Sequence, residues 1–112
     1  MDIDGPGTRV TIYVGESDRW EGRTLYEAIV EVLRREGCAG ATVFKGEMGF
    51  GKSSRIHSAN ILRLSEDLPV AIVFVDSPER VDAVMPRLDA KVTGGMIVVE
   101  DVHIHKYSHA GE

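Results

Sequence analysis

The stretch Leu68-Pro69-Val70-Ala71-Ile72-Val73-Phe74-Val75-Asp76-Ser77-Pro78 joins an apolar run to a helix start. Val70 to Val75 is apolar at every position, the pattern of a strand covered on both faces. Ser77 before Pro78 is an N-cap with proline at the first helical position. Val81, Val84, Met85 and Leu88 follow on one helical stripe, where Pro86 should kink the helix or lengthen its first half at the expense of its second. Met96 to Lys106 then begins apolar and goes on to alternate Val102 and Ile104 with His103 and His105, another strand.

The same order precedes this unit. Val10, Ile12 and Val14 alternate with Arg9, Thr11 and Tyr13, a strand with one face buried. Gly15 to Gly22 reads as a polar turn. Leu25, Ala28, Ile29, Val32 and Leu33 recur at helical spacing, and Gly37 stands where a left-handed cap ends that helix. Ala41 to Lys45 is a short β-rich segment. Two β-α-β halves predict an α+β, ferredoxin-like βαββαβ sandwich with both helices on one side of a four-stranded antiparallel sheet. A single domain over residues 8–107 is expected, with residues 1–7, containing Gly5-Pro6-Gly7, and residues 108–112 as loose tails. The far face of such a sheet carries the other side of the apolar strands. With no further element to cover it, copies of the same chain are the expected cover.

Composition bounds the function. At 112 residues, 43% hydrophobic and 28% charged, the chain is an ordinary globular domain. A net charge of −5 argues against a phosphate-backbone binder, so nucleic acid is not expected. The longest apolar run holds a proline and falls far short of the roughly 20 residues a membrane helix needs, so direct membrane insertion is not expected. One cysteine, Cys38, allows no internal disulfide, which fits a reducing cytoplasm.

The connection between the second and third strands, residues 46–67, is far longer than a hairpin needs. It contains Gly46-Glu47-Met48-Gly49-Phe50-Gly51-Lys52-Ser53-Ser54, which satisfies G-x-x-x-x-G-K-[ST], and a helix is predicted over 56–64. A P-loop nucleotide hydrolase is one reading, although about 45 residues forming a complete unit before the loop leave that fold no room. A second reading keeps only the local chemistry: glycine amides turned inward beside Lys52, Ser53 and Ser54 form an anion-binding concavity. A third treats the glycines as hinges of a flexible arm. Phe50, a large apolar residue amid glycines, is a candidate partner contact, with Arg55 and His57 as further donors. His103 and His105, two apart on a strand, with Asp101 and His109 nearby, are candidate metal ligands, set against an ordinary polar strand face. Cys38 reads as small filler rather than a nucleophile, and Trp20 and Tyr26 as packing anchors. No catalytic constellation stands out, so no enzyme is expected.

The stretches Tyr13-Val14-Gly15-Glu16-Ser17-Asp18, Leu25-Tyr26-Glu27-Ala28-Ile29, Gly40-Ala41-Thr42-Val43-Phe44-Lys45-Gly46, Gly49-Phe50-Gly51-Lys52-Ser53-Ser54 and Leu64-Ser65-Glu66-Asp67-Leu68-Pro69 carry a resemblance. Over nearly the whole chain, Arg9 to Tyr107, it resembles the bacterial and archaeal proteins grouped as domain of unknown function 190. That family is similar to the PII signalling proteins, homotrimers of ferredoxin-like subunits. A related trimer, the CutA type, is linked with divalent metals, which gives the metal-binding alternative. The resemblance implies that residues 46–67 occupy the place of the PII T-loop. That loop responds to ATP, ADP and 2-oxoglutarate in clefts between subunits and docks on enzymes or membrane channels. The PII phosphate loop is only partly matched, as Thr93-Gly94-Gly95-Met96, without its acid and lysine. The expectation is a regulatory module sensing a small anion, an adenine nucleotide such as ATP, ADP or AMP. Gly46, Gly49, Gly51, Lys52, Ser53, Ser54, Gly94 and Gly95 are the expected contacts, with Lys106 reaching in from a neighbouring subunit.

Overall fold

The computed structural model of the chain describes residues 3–50 and 67–108. The elements in chain order are β1 (Ile3–Gly15), β2 (Arg19–Trp20), β3 (Arg23–Thr24), α1 (Leu25–Arg35), β4 (Thr42–Lys45), β5 (Pro69–Asp76), α2 (Pro78–Lys91) and β6 (Met96–Tyr107). The main sheet has the order β4-β5-β1-β6 and is antiparallel throughout. This is the ferredoxin-like arrangement expected from the two β-α-β halves.

Alternation on the strands places the core. Val10, Ile12 and Val14 of β1 and Val70, Ile72 and Phe74 of β5 are buried, and they pack with Leu25, Ile29 and Leu33 of α1 and Val81, Val84 and Leu88 of α2. Both helices therefore lie on one face. The first helix ends in a Schellman motif: Cys38 N–H donates to the Leu33 carbonyl at 3.0 Å and Gly37 N–H to that of Arg34 at 3.1 Å. Gly37 sits at φ 77, which glycine adopts without the clash a Cβ would bring. The second helix starts as its sequence predicts, with the Ser77 hydroxyl accepting from Arg80 N–H at 3.2 Å. It then runs unbroken through Pro86 to Lys91. Pro86 and Asp82 are both exposed, so the carbonyl that Pro86 leaves without an intrahelical partner faces water.

Two differences from the sequence reading have physical causes. The first strand begins at Ile3, inside the segment read as a loose leader, because residues before Thr8 pair with the far end of β6, from Ile3↔Tyr107 to Gly7↔Val102. Gly7 lets Ile104 lie against the backbone there, since a Cβ would stand 2.4 Å from the Ile104 Cδ1. The polar turn contains a two-residue hairpin, β2 and β3, whose central Glu21 and Gly22 have φ 46 and 86, as a right-twisted hairpin turn demands. The helix predicted over 56–64 lies outside the described residues.

Asp76 is the buried joint of the fold. Fully buried at the end of β5, its carboxylate accepts from Ala39 N–H and from Ser77 N–H, both at 2.7 Å. It ties the exit of α1 to the entry of α2. Arg80 adds a 2.6 Å hydrogen bond to the Glu36 carbonyl, and Arg87 an ion pair to the Glu36 carboxylate at 3.3 Å.

Among the described residues nothing covers the other sheet face. Register places Phe44, Ala71, Tyr13 and Met96 in one row across it and Thr42, Val73, Thr11 and Val98 in the next. Tyr13, Phe44 and Met96 remain 46%, 57% and 58% exposed. Among the described residues no helix is long and apolar enough to cross a membrane.

Replacing Asp76 by Ala leaves two part-buried amides without their acceptor and should cost about 3 kcal/mol of stability. The measurement is the urea midpoint at matched protein concentration, and an unchanged midpoint would show that water replaces the carboxylate without loss.

Candidate functional site

Four strand ends meet at one edge of the sheet. Gly15 closes β1 opposite Pro69 at the start of β5, Lys45 closes β4 opposite Val70, and Met96 opens β6 opposite Tyr13. Both the 46–68 connection and the short 92–95 connection therefore leave from this end. Gly46, Gly49, Gly94 and Gly95, far apart in the chain, are brought to the same edge.

The two feet of the long connection are fastened to the turn after β1. At the first foot, Lys45 Nζ pairs with Glu16 Oε2 at 3.0 Å and stands 5.3 Å from the centre of the Tyr26 ring on α1. Hydrogen bonds to Glu16 and Tyr26 raise the Lys45 pKa, so the ammonium stays charged. At the second foot, the Ser17 hydroxyl donates to Asp67 Oδ1 at 2.8 Å, and Ser17 N–H reaches the same oxygen at 3.3 Å. Glu16 N–H donates to the Leu68 carbonyl at 2.8 Å. Gly15 permits this approach, because a Cβ there would stand 2.5 Å from Asp67 Oδ1. Its own N–H is held by Asp18 Oδ2 at 2.9 Å. Sequence reasoning singles out no role for Glu16 or Ser17. The only signal was their place in the quoted family stretches.

The glycines have packing reasons of their own. A Cβ on Gly46 or Gly49 would stand 2.8 or 2.9 Å from the Pro69 Cγ, so both lie across that ring. At Gly95, φ is 151 and a Cβ would be 2.4 Å from the Tyr13 carbonyl oxygen, so β6 can enter beside β1 only with glycine. Beside the short connection, Lys91 Nζ rests 4.2 Å from the centre of the Trp20 ring, a cation–π contact that joins the end of α2 to the β2–β3 hairpin. Trp20 is the packing anchor expected.

Other candidates fall elsewhere. Lys106 is exposed at the opposite end of the sheet, beside Tyr107↔Ile3, so within one chain it does not join the glycines. His103 and His105 are also exposed at that far end, and His103 Nε2 lies 3.7 Å from Asp4 Oδ1. Among the described residues no group of three metal-ligating side chains forms. Phe50 and Met48 are 74% and 75% exposed, as a partner contact requires. Gly51, Lys52, Ser53, Ser54, Arg55, His57 and His109 lie outside the described residues. The strand before the P-loop-like sequence, β4, is a four-residue edge strand antiparallel to β5, unlike the parallel sheet that builds βαβ nucleotide folds.

The Cys38 thiol is pushed up by burial and then by nearby Asp76, the opposite of an activated nucleophile. Iodoacetamide at pH 8 should alkylate it more slowly than free N-acetylcysteine, because raising the thiol's pKa lowers its thiolate fraction. Faster labelling would mark an activated thiol.

Comparison with known proteins places this geometry. The DUF190 family model, described as "Uncharacterized ACR", matches residues 7–104. The UPF0166 protein MJ1524 of Methanocaldococcus jannaschii is 41% identical over 96 residues, covering 85% of this chain and 88% of that protein. Among solved structures, the apo form of CPII from Thiomonas intermedia K12, a nitrogen regulatory PII-like protein, superposes with a TM-score of 0.63 at 15% identity. That match covers 96% of this chain and 100% of the other. The same protein bound to ADP and bicarbonate gives 0.59 at 19% identity, with 89% of each chain covered. The chain belongs to the DUF190 family and has the PII-like ferredoxin-like fold.

Proposed function

We propose that this protein is a PII-like regulatory module that binds an adenine nucleotide without turning it over and signals through the 46–67 connection. The observation that carries the reading is the meeting of both loop connections at one sheet end, with each foot of the longer one fastened to the Gly15–Asp18 turn. A ligand seated there bears on both connections at once. CPII, with the same fold, has been solved with ADP and bicarbonate and with ADP, AMP and bicarbonate, which supports the choice of ligand class. Gly46, Gly49, Gly94 and Gly95 would offer backbone amides, and Lys52, Ser53 and Ser54 the charge and hydroxyls that the partial Thr93-Gly94-Gly95 loop lacks.

The uncovered apolar sheet face supports a homotrimer in which each copy covers its neighbours, and the site would then lie in the clefts between copies. In that setting Lys106 of an adjacent copy can reach the nucleotide, which it cannot do within one chain. The exposed Met48 and Phe50 would meet the regulated enzyme or membrane transporter, in a cytoplasm that keeps Cys38 reduced. A ligand with a few kcal/mol of differential affinity is enough to shift a two-state loop.

A thermal-shift series with ATP, ADP and AMP, each with and without bicarbonate, tests the reading. A nucleotide at 100 times its Kd adds about 2.7 kcal/mol, a shift of several degrees. The expected result is a nucleotide shift reduced in Lys52→Ala, with no release of phosphate from ATP and magnesium. No shift with any nucleotide, or ATP turnover abolished by Lys52→Ala, overturns the reading.

A further inference from the structure

The uncovered sheet face holds a charged pair in a place where charge is unexpected. Arg9 and Glu100 face each other across β1 and β6, with Val75 on the other side of Arg9. Arg9 Nε donates to Glu100 Oε1 at 3.0 Å and Nη2 to Oε2 at 3.1 Å, a bidentate fork. The rows on one side carry Val73, Thr11 and Val98, then Ala71, Tyr13 and Met96. The row on the other carries Gly7 and Val102. Across these rows Arg9 and Glu100 are the charged residues. At 44% and 46% side-chain exposure the pair contributes little to an isolated chain.

We propose that the Arg9–Glu100 pair sets the register and copy number of the interface formed when this face is covered by further copies of the same chain. The proposal rests on the self-association read above from the apolar face. A second copy is the occupant because, across these rows, the two charges cancel within the chain. The rows carry no excess charge to recruit an oppositely charged partner, yet their apolar side chains span four strands. Contacts among Val, Ala, Met and Tyr side chains are non-directional and tolerate sliding. A forked ion pair is not tolerant: once covered, it must keep both hydrogen bonds and find polar company, or leave a desolvated charge behind. Its contribution is therefore discrimination among packings, as a single polar residue does at the seam of a coiled coil. Glu100 is held below the ordinary carboxylate range by its hydrogen bond to Arg9, which keeps the pair ionised near neutral pH.

Light scattering coupled to gel filtration of four proteins tests this: wild type, Arg9→Leu, Arg9→Leu/Glu100→Leu and the exchanged pair Arg9→Glu/Glu100→Arg. Circular dichroism checks that each is folded. The wild type should elute as one species. Arg9→Leu, with an unpaired Glu100, should dissociate at protein concentrations at least ten-fold higher than wild type. The doubly apolar protein should associate into a mixture of sizes, and the exchanged pair should return to one species. A doubly apolar protein as uniform as wild type, at the same mass, overturns the proposal while leaving self-association intact. A monomeric wild type overturns self-association itself, and the proposal with it.

Discussion

The structure depends on the two faces of β1. Every second side chain of this strand, Val10, Ile12 and Val14, is driven out of water under the two helices, which commits Arg9, Thr11 and Tyr13 to the opposite face. Because β1 lies between β5 and β6, that parity is copied onto both neighbours. Val70, Ile72 and Phe74 join the core, while Ala71, Val73, Met96 and Val98 are left on the open side. A slip of one residue would bury Arg9 and expose Val10, so the register is strongly held. The apolar open face follows directly from that register.

The same register assembles the candidate site. Gly15 ends opposite Pro69 and Tyr13 opposite Met96, so two connections of very different length leave from one edge. The turn after β1 then has carboxylates and amides within reach of both feet of the long connection. It uses Glu16 on Lys45 and Ser17 on Asp67. These contacts fasten both feet of the long connection to one turn. Asp76 does the corresponding task at the other end of β5, where the exits and entries of the helices are tied together.

Legibility in the sequence tracked the range of the interaction. The strands around Val10 and Val70, the stripes of both helices, the Gly37 cap and the Ser77-Pro78 start all depend on neighbours within a few residues. Periodicity and capping residues report such neighbours. The start of β1 was hidden because Gly5-Pro6-Gly7 has the composition of a loop, and its partners, Val102 to Tyr107, lie nearly a whole chain away. The glycines show another limit: close approach to the Pro69 ring and to the Tyr13 carbonyl gives Gly46, Gly49 and Gly95 packing reasons that no motif reports. The distance of Lys106 from the glycines within one chain is likewise visible only once pairing across the sheet is known.

The sequence by itself determined the order of the four main strands and two helices, the two-helix antiparallel design and the family. All of these are carried by local periodicity or by the residue types themselves. Tertiary structure decided which distant residues meet: Ser17 with Asp67, Lys45 with Glu16 and Tyr26, Asp76 with Ala39, and Arg9 with Glu100. Those pairings rest on the register of an antiparallel sheet, in which the partner of a residue is set by how the whole strand docks. No spacing along the chain encodes that.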